Sequence, residues 1–514
     1  MRYLNLGVEI LKKKVALVQI FFFIALIIFL MEVAPLLPFD GDDWRYIGAI
    51  RLPFPIWGGW NPTRVLPELL MPLGGYISAF IVYPLTHNYI FSLSIIANMV
   101  ISFFIVLVGY MYYRLVRIRL KVNYKLSLSL ESLFLLSFFV LFKHVNGSSY
   151  YGFWTVDLAC GFFYIIPGCL NASLVMFMQQ KQNFNNYFAN LSGERKAFFI
   201  TVLYFTLLSN TQMTIILALY CSFEILLISF RMNFNVKKIY RNTRLYWSIL
   251  LLWLLTILFD LNGQRAQSVS QGNEGSFFSK LINTILQFKN LVMVENRVFL
   301  LSSLVIILIS FLILLRNSRN KINNYIYLSI FSLFSMSIAF VYLMLAYVKA
   351  GSFYASRVDA MWPIIYFYIF LINISIASCV RFIRGVKILL PLIISLAVFI
   401  TIGCNGLYIY PNNSPYNSET IINVDNYIIN QVVRADKEGR NSVKVYVPLD
   451  QKDANKKITT SNWPHSFDMA KWLQNTLYSH HIIRTRMKIT FIPSKKVNRM
   501  YENKKKEQPF IPLE

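Results

Sequence analysis

Long apolar runs separated by short basic stretches constrain this chain more than any other feature. Several runs exceed the roughly 18 apolar residues that suggest a membrane-spanning helix. The links between them are rich in Lys and Arg: Lys12 to Lys14; Arg114, Arg117, Arg119, Lys121 and Lys125; Arg195 and Lys196; Arg231, Lys237, Lys238, Arg241 and Arg244; Arg316, Arg319 and Lys321; Arg381, Arg384 and Lys387. The net charge of +26 therefore lies beside the apolar runs, the positive-inside pattern of a polytopic membrane protein, and does not form a nucleic-acid surface. Only 14% of the 514 residues are charged against 56% hydrophobic, where a soluble chain carries about a quarter charged. The five Cys residues (160, 169, 221, 379, 404) sit in or beside apolar stretches and indicate no disulfide framework.

The basic stretches set a topology. Lys12 to Lys14 hold the N-terminus inside, and residues 15–37 carry the chain out. This first run is too long for a cleaved signal peptide and has no A-x-A site. Residues 88–113 return, and 126–142, 157–179, two short helices in 197–230 broken at Ser209 to Gln212, 246–260, 298–315, 324–346, 359–379 and 388–406 follow. The weaker stretch 66–86, interrupted by Pro67, Pro72, Pro84 and Gly74-Gly75, would break the parity if it spanned, so it is expected to lie on or dip into the outer face. The fold class is thus a mostly α, polytopic helical membrane protein with about 11 spans over residues 1–406. Its first outer loop is 38–87, and 407–514 form a small outward α+β domain. Within that domain 419–434 has the period of an amphipathic helix, and Val443 to Val447 alternates like a half-buried strand. The turn-rich Pro411-Asn412-Asn413-Ser414-Pro415 opens it, and a basic tail from Lys495 closes it.

The remaining polar residues fall on the outer side. Asp40, Asp42, Asp43, Arg45, Arg51, Asn61, Arg64 and Glu68 share the first loop with Trp44, Trp57 and Trp60. A second loop runs from Lys143 through His144 to Tyr151, closing with Trp154 and Asp157; a third reads Asp260 to Arg265; a fourth runs from Lys349 through Tyr354 and Arg357 to Asp359. A charge at bilayer depth costs roughly 2.5–3.5 kcal/mol, so three aspartates together belong at a surface or in a wet cavity. Carboxylates, arginines and aromatics on one membrane face suit a lipid-phosphate-linked sugar: arginines pair with phosphate, a carboxylate takes a proton from an attacking hydroxyl, and aromatic faces stack on pyranose rings. Each residue also has a plainer role. Paired acids can cap a helix at the interface, an outer Arg can snorkel, three Trp can form an aromatic belt, and His144 has no metal-ligand partner in spacing. No Walker motif, dinucleotide fingerprint or Gly-x-Ser-x-Gly is present.

In the order of these features the chain resembles the GT-C superfamily of integral-membrane glycosyltransferases, and within it the bacterial serotype-converting (Gtr-type) O-antigen glucosyltransferases. The resemblance is carried by Asp42-Asp43-Trp44, Trp60-Asn61-Pro62-Thr63-Arg64, Asn262-Gly263-Gln264-Arg265 and Arg357. It implies a bacterial inner-membrane enzyme, with the N-terminus cytoplasmic and the C-terminus periplasmic, that moves a hexose, glucose for preference. The donor would be a polyprenyl-phosphate-linked sugar and the acceptor a lipid-linked O-antigen or related surface glycan, joined in an inverting single displacement. Asp42 and Asp43 would include the general base or its orienting partner, with Asp42 preferred. Arg265 and Arg357 would hold the donor phosphate from opposite sides of the cavity mouth, with Arg64 supporting. Lys349 extends that phosphate set, and Asp40, Trp44, Trp60, Asn262 and Tyr354 are the candidate substrate contacts. No cofactor is expected, and Asp40 leaves a divalent metal open. The partners implied are the two lipid-linked substrates and membrane lipids, with dependence on a donor synthase and a flippase and no nucleic acid. The alternatives are an O-antigen polymerase or ligase, and a flippase or transporter without bond chemistry. A transporter would place charge within its spans, where only Glu131 and Glu224 come close.

Overall fold

The computed structural model describes residues 2–142, 150–271, 275–316, 323–383, 385–403, 408–411, 414, 416–449, 463–465 and 469–501. It is 75% helix and 4% strand. Helix α1 (Arg2–Ile28) runs on through a π turn, Phe29–Val33, and α2 (Gly41–Gly48) follows. Next come a helical rod α3 (Pro67–Thr86), α4 (Tyr89–Ile118), α5 (Tyr124–Val140) and α6 (Leu158–Gln179). The chain continues through α7 (Phe184–Ala189), α8 (Gly193–Leu207), α9 (Ile215–Arg231), α10 (Val236–Leu261), α11 (Gln264–Gln271), α12 (Phe277–Met293) and α13 (Arg297–Arg316). After α14 (Asn323–Ala350), a 3₁₀ turn (Ser352–Ser356) leads into α15 (Trp362–Phe382) and α16 (Val386–Gly403). The last part holds α17 (Ser418–Lys437), β1 (Ser442–Pro448), α18 (Met469–Ser479), β2 (Lys488–Ser494) and α19 (Lys495–Tyr501).

Among the described residues, eight helices are long and apolar enough to cross a membrane: Lys12–Val33, Pro67–Thr86, Tyr89–Ile118, Leu158–Gln179, Val236–Leu261, Arg297–Arg316, Asn324–Ala350 and Trp362–Phe382. They divide by burial. In α6 and α15 the apolar window is 94% and 89% buried, whereas in α10 and α13 it is only 17%. Leu251, Leu308 and Phe311 on those outer helices stand exposed. A helix apolar all round and bare on most of its surface is stable only where lipid covers it. The protein is therefore multi-pass, with α6 and α15 at its centre. Around them aromatic rings interlock, Tyr112 on Phe134 at 4.4 Å between centroids and Phe138 on Phe153 at 4.4 Å.

Against the eleven spans expected, these eight are the ones that meet the length and apolarity of a crossing among the described residues. Helices α5, α8 and α9 are 17, 15 and 17 residues long, short of a full crossing by length, while the rod 67–86 qualifies. The break between α8 and α9 falls at 208–214, around the expected Ser209 to Gln212. Helix α12 has no counterpart among the expected elements; it packs along the 3₁₀ turn and α14. The loop with His144, the turn residues Asn412, Asn413 and Pro415, Cys404 and the tail beyond Tyr501 lie outside the described residues.

Two local devices shape the region around α2 and the rod. The π turn ends α1, and the buried Asn98 amide donates to Leu30 O within it and to Leu36 O just beyond it, both at 3.1 Å. The rod α3 begins at Pro67, a residue suited to the first helical turn, and its middle packs on polar partners: Tyr76 meets His480 at 4.9 Å and Phe80 meets His481 at 5.3 Å. After residue 416, α17 lies on a parallel pair, β1 and β2, in register from Ser442↔Lys488 to Pro448↔Ser494. Val424, Ile428, Val432, Val445, Val447, Leu473 and Leu477 are fully buried there. The expected helix 419–434 and strand 443–447 are both present, each slightly longer.

Candidate functional site

The acidic sequence Asp40-Gly41-Asp42-Asp43 is the start of α2, and each aspartate meets a different environment. Asp40 is the N-cap: its carboxylate accepts from the Asp42 N–H at 3.0 Å and the Asp43 N–H at 3.3 Å. Burial, then the charges of Asp157 and Asp42, pushes the Asp40 carboxyl up to about 7. Asp43 is fully buried and accepts two backbone hydrogen bonds, from Phe39 N–H at 2.8 Å and from Ala159 N–H at 2.7 Å. Burial first, then Asp157 and Asp40, raises it well above the ordinary carboxylate range. Asp157 caps α6, accepting from the Cys160 N–H at 2.5 Å, and burial raises it as well. Asp42 alone of the four is exposed, and no described residue hydrogen-bonds its carboxylate.

A cavity of about 390 Å³ opens beside this cluster, lined by Trp60, Asn61, Arg64, Tyr164, Gln212, Asp260, Arg265, Tyr342, Lys349 and Tyr354 among others. Its volume is in the range of small-molecule sites. Three cations, Arg64, Arg265 and Lys349, face one carboxylate, Asp260. Asp260 accepts from Thr63 Oγ1 at 2.5 Å and from Thr211 Oγ1, which also lines the cavity, at 2.7 Å. Arg265 donates to the Tyr354 hydroxyl at 3.4 Å, and Arg64 stacks over Phe163 at 5.0 Å. The rest of the wall is apolar, from Ile257 and Leu261 of α10 and Leu345 and Ala346 of α14. The Gln212 Oε1 is buried with no partner among the described residues. One cavity thus joins a cationic end to an apolar side.

Short connections tie the cluster to the cavity. Tyr46, one helical turn beyond Asp42, accepts from Asn61 Nδ2 at 2.8 Å, and Asn61 lines the cavity. Tyr164, one turn beyond Cys160, also lines it. Behind it Arg357 sits over the Tyr164 and Tyr354 rings at 5.4 and 5.1 Å.

Of the residues singled out in the sequence, Arg64, Arg265, Lys349, Trp60 and Tyr354 line the cavity together. Arg357 does not. Its guanidinium is clamped by Asp359, Nε to Oδ1 at 3.0 Å and Nη2 to Oδ2 at 2.6 Å, so it stands in the wall as half of a buried pair and not across the mouth from Arg265. Trp44 is fully buried against Tyr89 and is a core residue, neither a sugar platform nor part of a belt. Asn262 is exposed outside the cavity, its amide donating to Leu258 O at 2.8 Å. Asp43 holds the loop through backbone N–H groups and not through an arginine side chain. Asp157, Tyr164, Gln212, Asp260 and Tyr342 join the site although the sequence gives them no candidate role. Asp157 and Asp260, as acids at the ends of apolar helices, carry the same signal as Asp42. Among the described residues no three His, Cys, Asp or Glu side chains converge as metal ligands.

No family model matches the chain, and neither a curated protein nor a solved structure shows significant similarity to it.

Proposed function

We propose that the protein is a membrane glycosyltransferase of the GT-C type, transferring a hexose from a polyprenyl-phosphate-linked donor to a lipid-linked glycan at the outer face of a bacterial inner membrane. The observation that carries this is the two-natured cavity. Arg64, Arg265 and Lys349 suit a phosphate, and the Ile257, Leu261, Leu345 and Ala346 wall suits the first units of a prenyl chain. The exposed Asp42 is the general base. It removes the proton of an acceptor hydroxyl as that oxygen bonds to the anomeric carbon, the carbon–oxygen bond to phosphate breaks, and the cations take up the charge of the departing lipid phosphate. The anomeric configuration inverts in this single displacement. Glucose is the hexose we favour, and O-antigen or a related surface glycan the acceptor.

In this reading about eleven segments cross, with the N-terminus and basic links cytoplasmic and the α17–α19 unit periplasmic. Packing of the rod's middle on α2 and α18 supports its lying along the outer face, since Gly75 is pressed against Ile47 and His480. Polymerase or transporter activity fits less well. The two acids that the sequence places nearest to mid-span are engaged elsewhere, Glu131 with Gln19 and Glu224 with the Tyr327 hydroxyl, and neither lines the cavity.

Transfer of radiolabelled glucose from undecaprenyl-phosphate-glucose to lipid-linked glycan in membranes tests the proposal. Arg265→Lys should keep part of the rate, because charge survives without the fork, and Arg265→Ala should keep almost none. Wild-type transfer by Arg265→Ala would remove the cavity from the mechanism.

A further inference from the structure

We infer that the junction of α2 with α18, beside the cavity, is a saccharide subsite that holds the acceptor glycan, and that Trp472 is its selectivity-determining residue. This rests on the glycosyltransferase reading above and adds a second substrate site to it.

The observation behind it is the setting of Arg45. Its guanidinium lies 5.3 Å from the ring of Trp60, 4.8 Å from that of Trp472 and 5.4 Å from that of Tyr46. No hydrogen bond or ion pair to another described residue occupies it, so its N–H donors are available to a ligand. Three residues earlier on the same helix face stands Asp42, exposed and equally unpaired among the described residues. Trp60 is 39% exposed and Trp57 60%, and Lys471 reaches over the Trp472 ring at 5.0 Å. A guanidinium with free donors is thus set among the Trp60, Trp472 and Tyr46 rings, with an exposed carboxylate one turn before it.

That combination selects a polyol. Indole faces suit the C–H surface of a pyranose, and the two charged edges suit vicinal hydroxyls, which donate to one and accept from the other. An anion would meet Asp42, and a cation would meet Arg45. Trp472 is not free to drift from this position. One turn further along α18, Thr476 Oγ1 donates to Trp44 O at 2.5 Å, and just past the helix end His480 Nδ1 pairs with the Tyr89 hydroxyl at 2.6 Å. Trp60 belongs both to this junction and to the cavity, so the two substrates meet across it, beside Asp42.

Saturation-transfer NMR on the detergent-solubilised full chain decides the matter. The probes are undecaprenyl phosphate and a panel of soluble oligosaccharides of glucose, galactose, rhamnose and N-acetylglucosamine. Wild type should bind at least one saccharide, Trp472→Ala should weaken it about tenfold, and Trp472→Phe should retain most of it, while undecaprenyl phosphate binding stays unchanged in both. If Trp472→Ala loses both ligands, as a misfolded protein would, Arg45→Gln becomes the deciding variant and must lose the saccharide alone. No saccharide bound by wild type, or saccharide binding indifferent to Trp472 and Arg45, overturns the subsite. Saccharide binding with no undecaprenyl phosphate binding would overturn the donor cavity and leave the subsite standing.

Discussion

Asp42 and Asp43 adjoin in sequence and differ in everything chemistry responds to. Asp43 gives each oxygen to a backbone N–H, one before α2 and one in α6, whereas Asp42 faces solvent. Asp43→Asn leaves one of those N–H groups facing an amide N–H, at a cost of about 1–3 kcal/mol. The Asp43→Asn protein should therefore melt lower than wild type, and the Asp42→Asn protein should melt with wild type. In transfer the order reverses. Asp42→Asn should fall by roughly 10²–10⁴-fold with donor binding intact, and full transfer by Asp42→Asn would leave α2 only a structural role. Asp40 adds a pH dependence. Its carboxyl ionises near 7 in the fold and near the ordinary aspartate value when unfolded, so the folded protein binds the extra proton between the two. Stability from this group is greatest below the unfolded value and declines as pH rises toward 7. Asp40→Asn, which still caps α2, should flatten that slope in melting curves taken from about pH 4 to 8.

At the scale of elements, the contact of α2 with α18 matters most because it fixes Asp42 and Trp472 relative to each other. The two helices approach at Gly48, where an added Cβ would overlap Thr476, including its backbone Cα at 2.7 Å. Gly48→Ala should cost about 1–3 kcal/mol of local packing and expose α18 to protease, seen as faster cleavage between residues 465 and 495. A cleavage rate equal to wild type would mean that α18 is held from elsewhere. Helix α12 shows why such elements escape a reading of the chain. Ser279, Lys280, Asn283, Thr284, Gln287 and Asn290 recur through it and break up the apolar run, so no spanning signal survives; its buried Thr284 and Leu291 pack on neighbours distant in sequence. By contrast α17 and β1 are legible because their own periodicity states which face is buried.

For the whole molecule, alternation of basic links and apolar runs conveys a helical membrane protein, and the acids and arginines at the outer helix ends convey where a site would form. Which cations remain open is not legible. Arg357 looks like Arg265 in sequence, and only the fold sets Asp359 against its guanidinium. Trp472 sits in a polar stretch that points to nothing until α18 docks on α2. The topology proposed here predicts that an alkaline-phosphatase fusion after residue 430 is active and one at residue 240 inactive, and the opposite pattern would put Asp42 in the cytoplasm. A last consequence concerns Asp43. Its two hydrogen bonds rivet the approach to α2 onto the start of α6, five residues before Tyr164 of the cavity wall. The base-bearing helix and that wall are therefore one casting. In the mechanism proposed here, the distance from Asp42 to the acceptor hydroxyl it deprotonates is then set by the protein's own frame before either lipid arrives, as a fixed jaw sets the gauge of a vice.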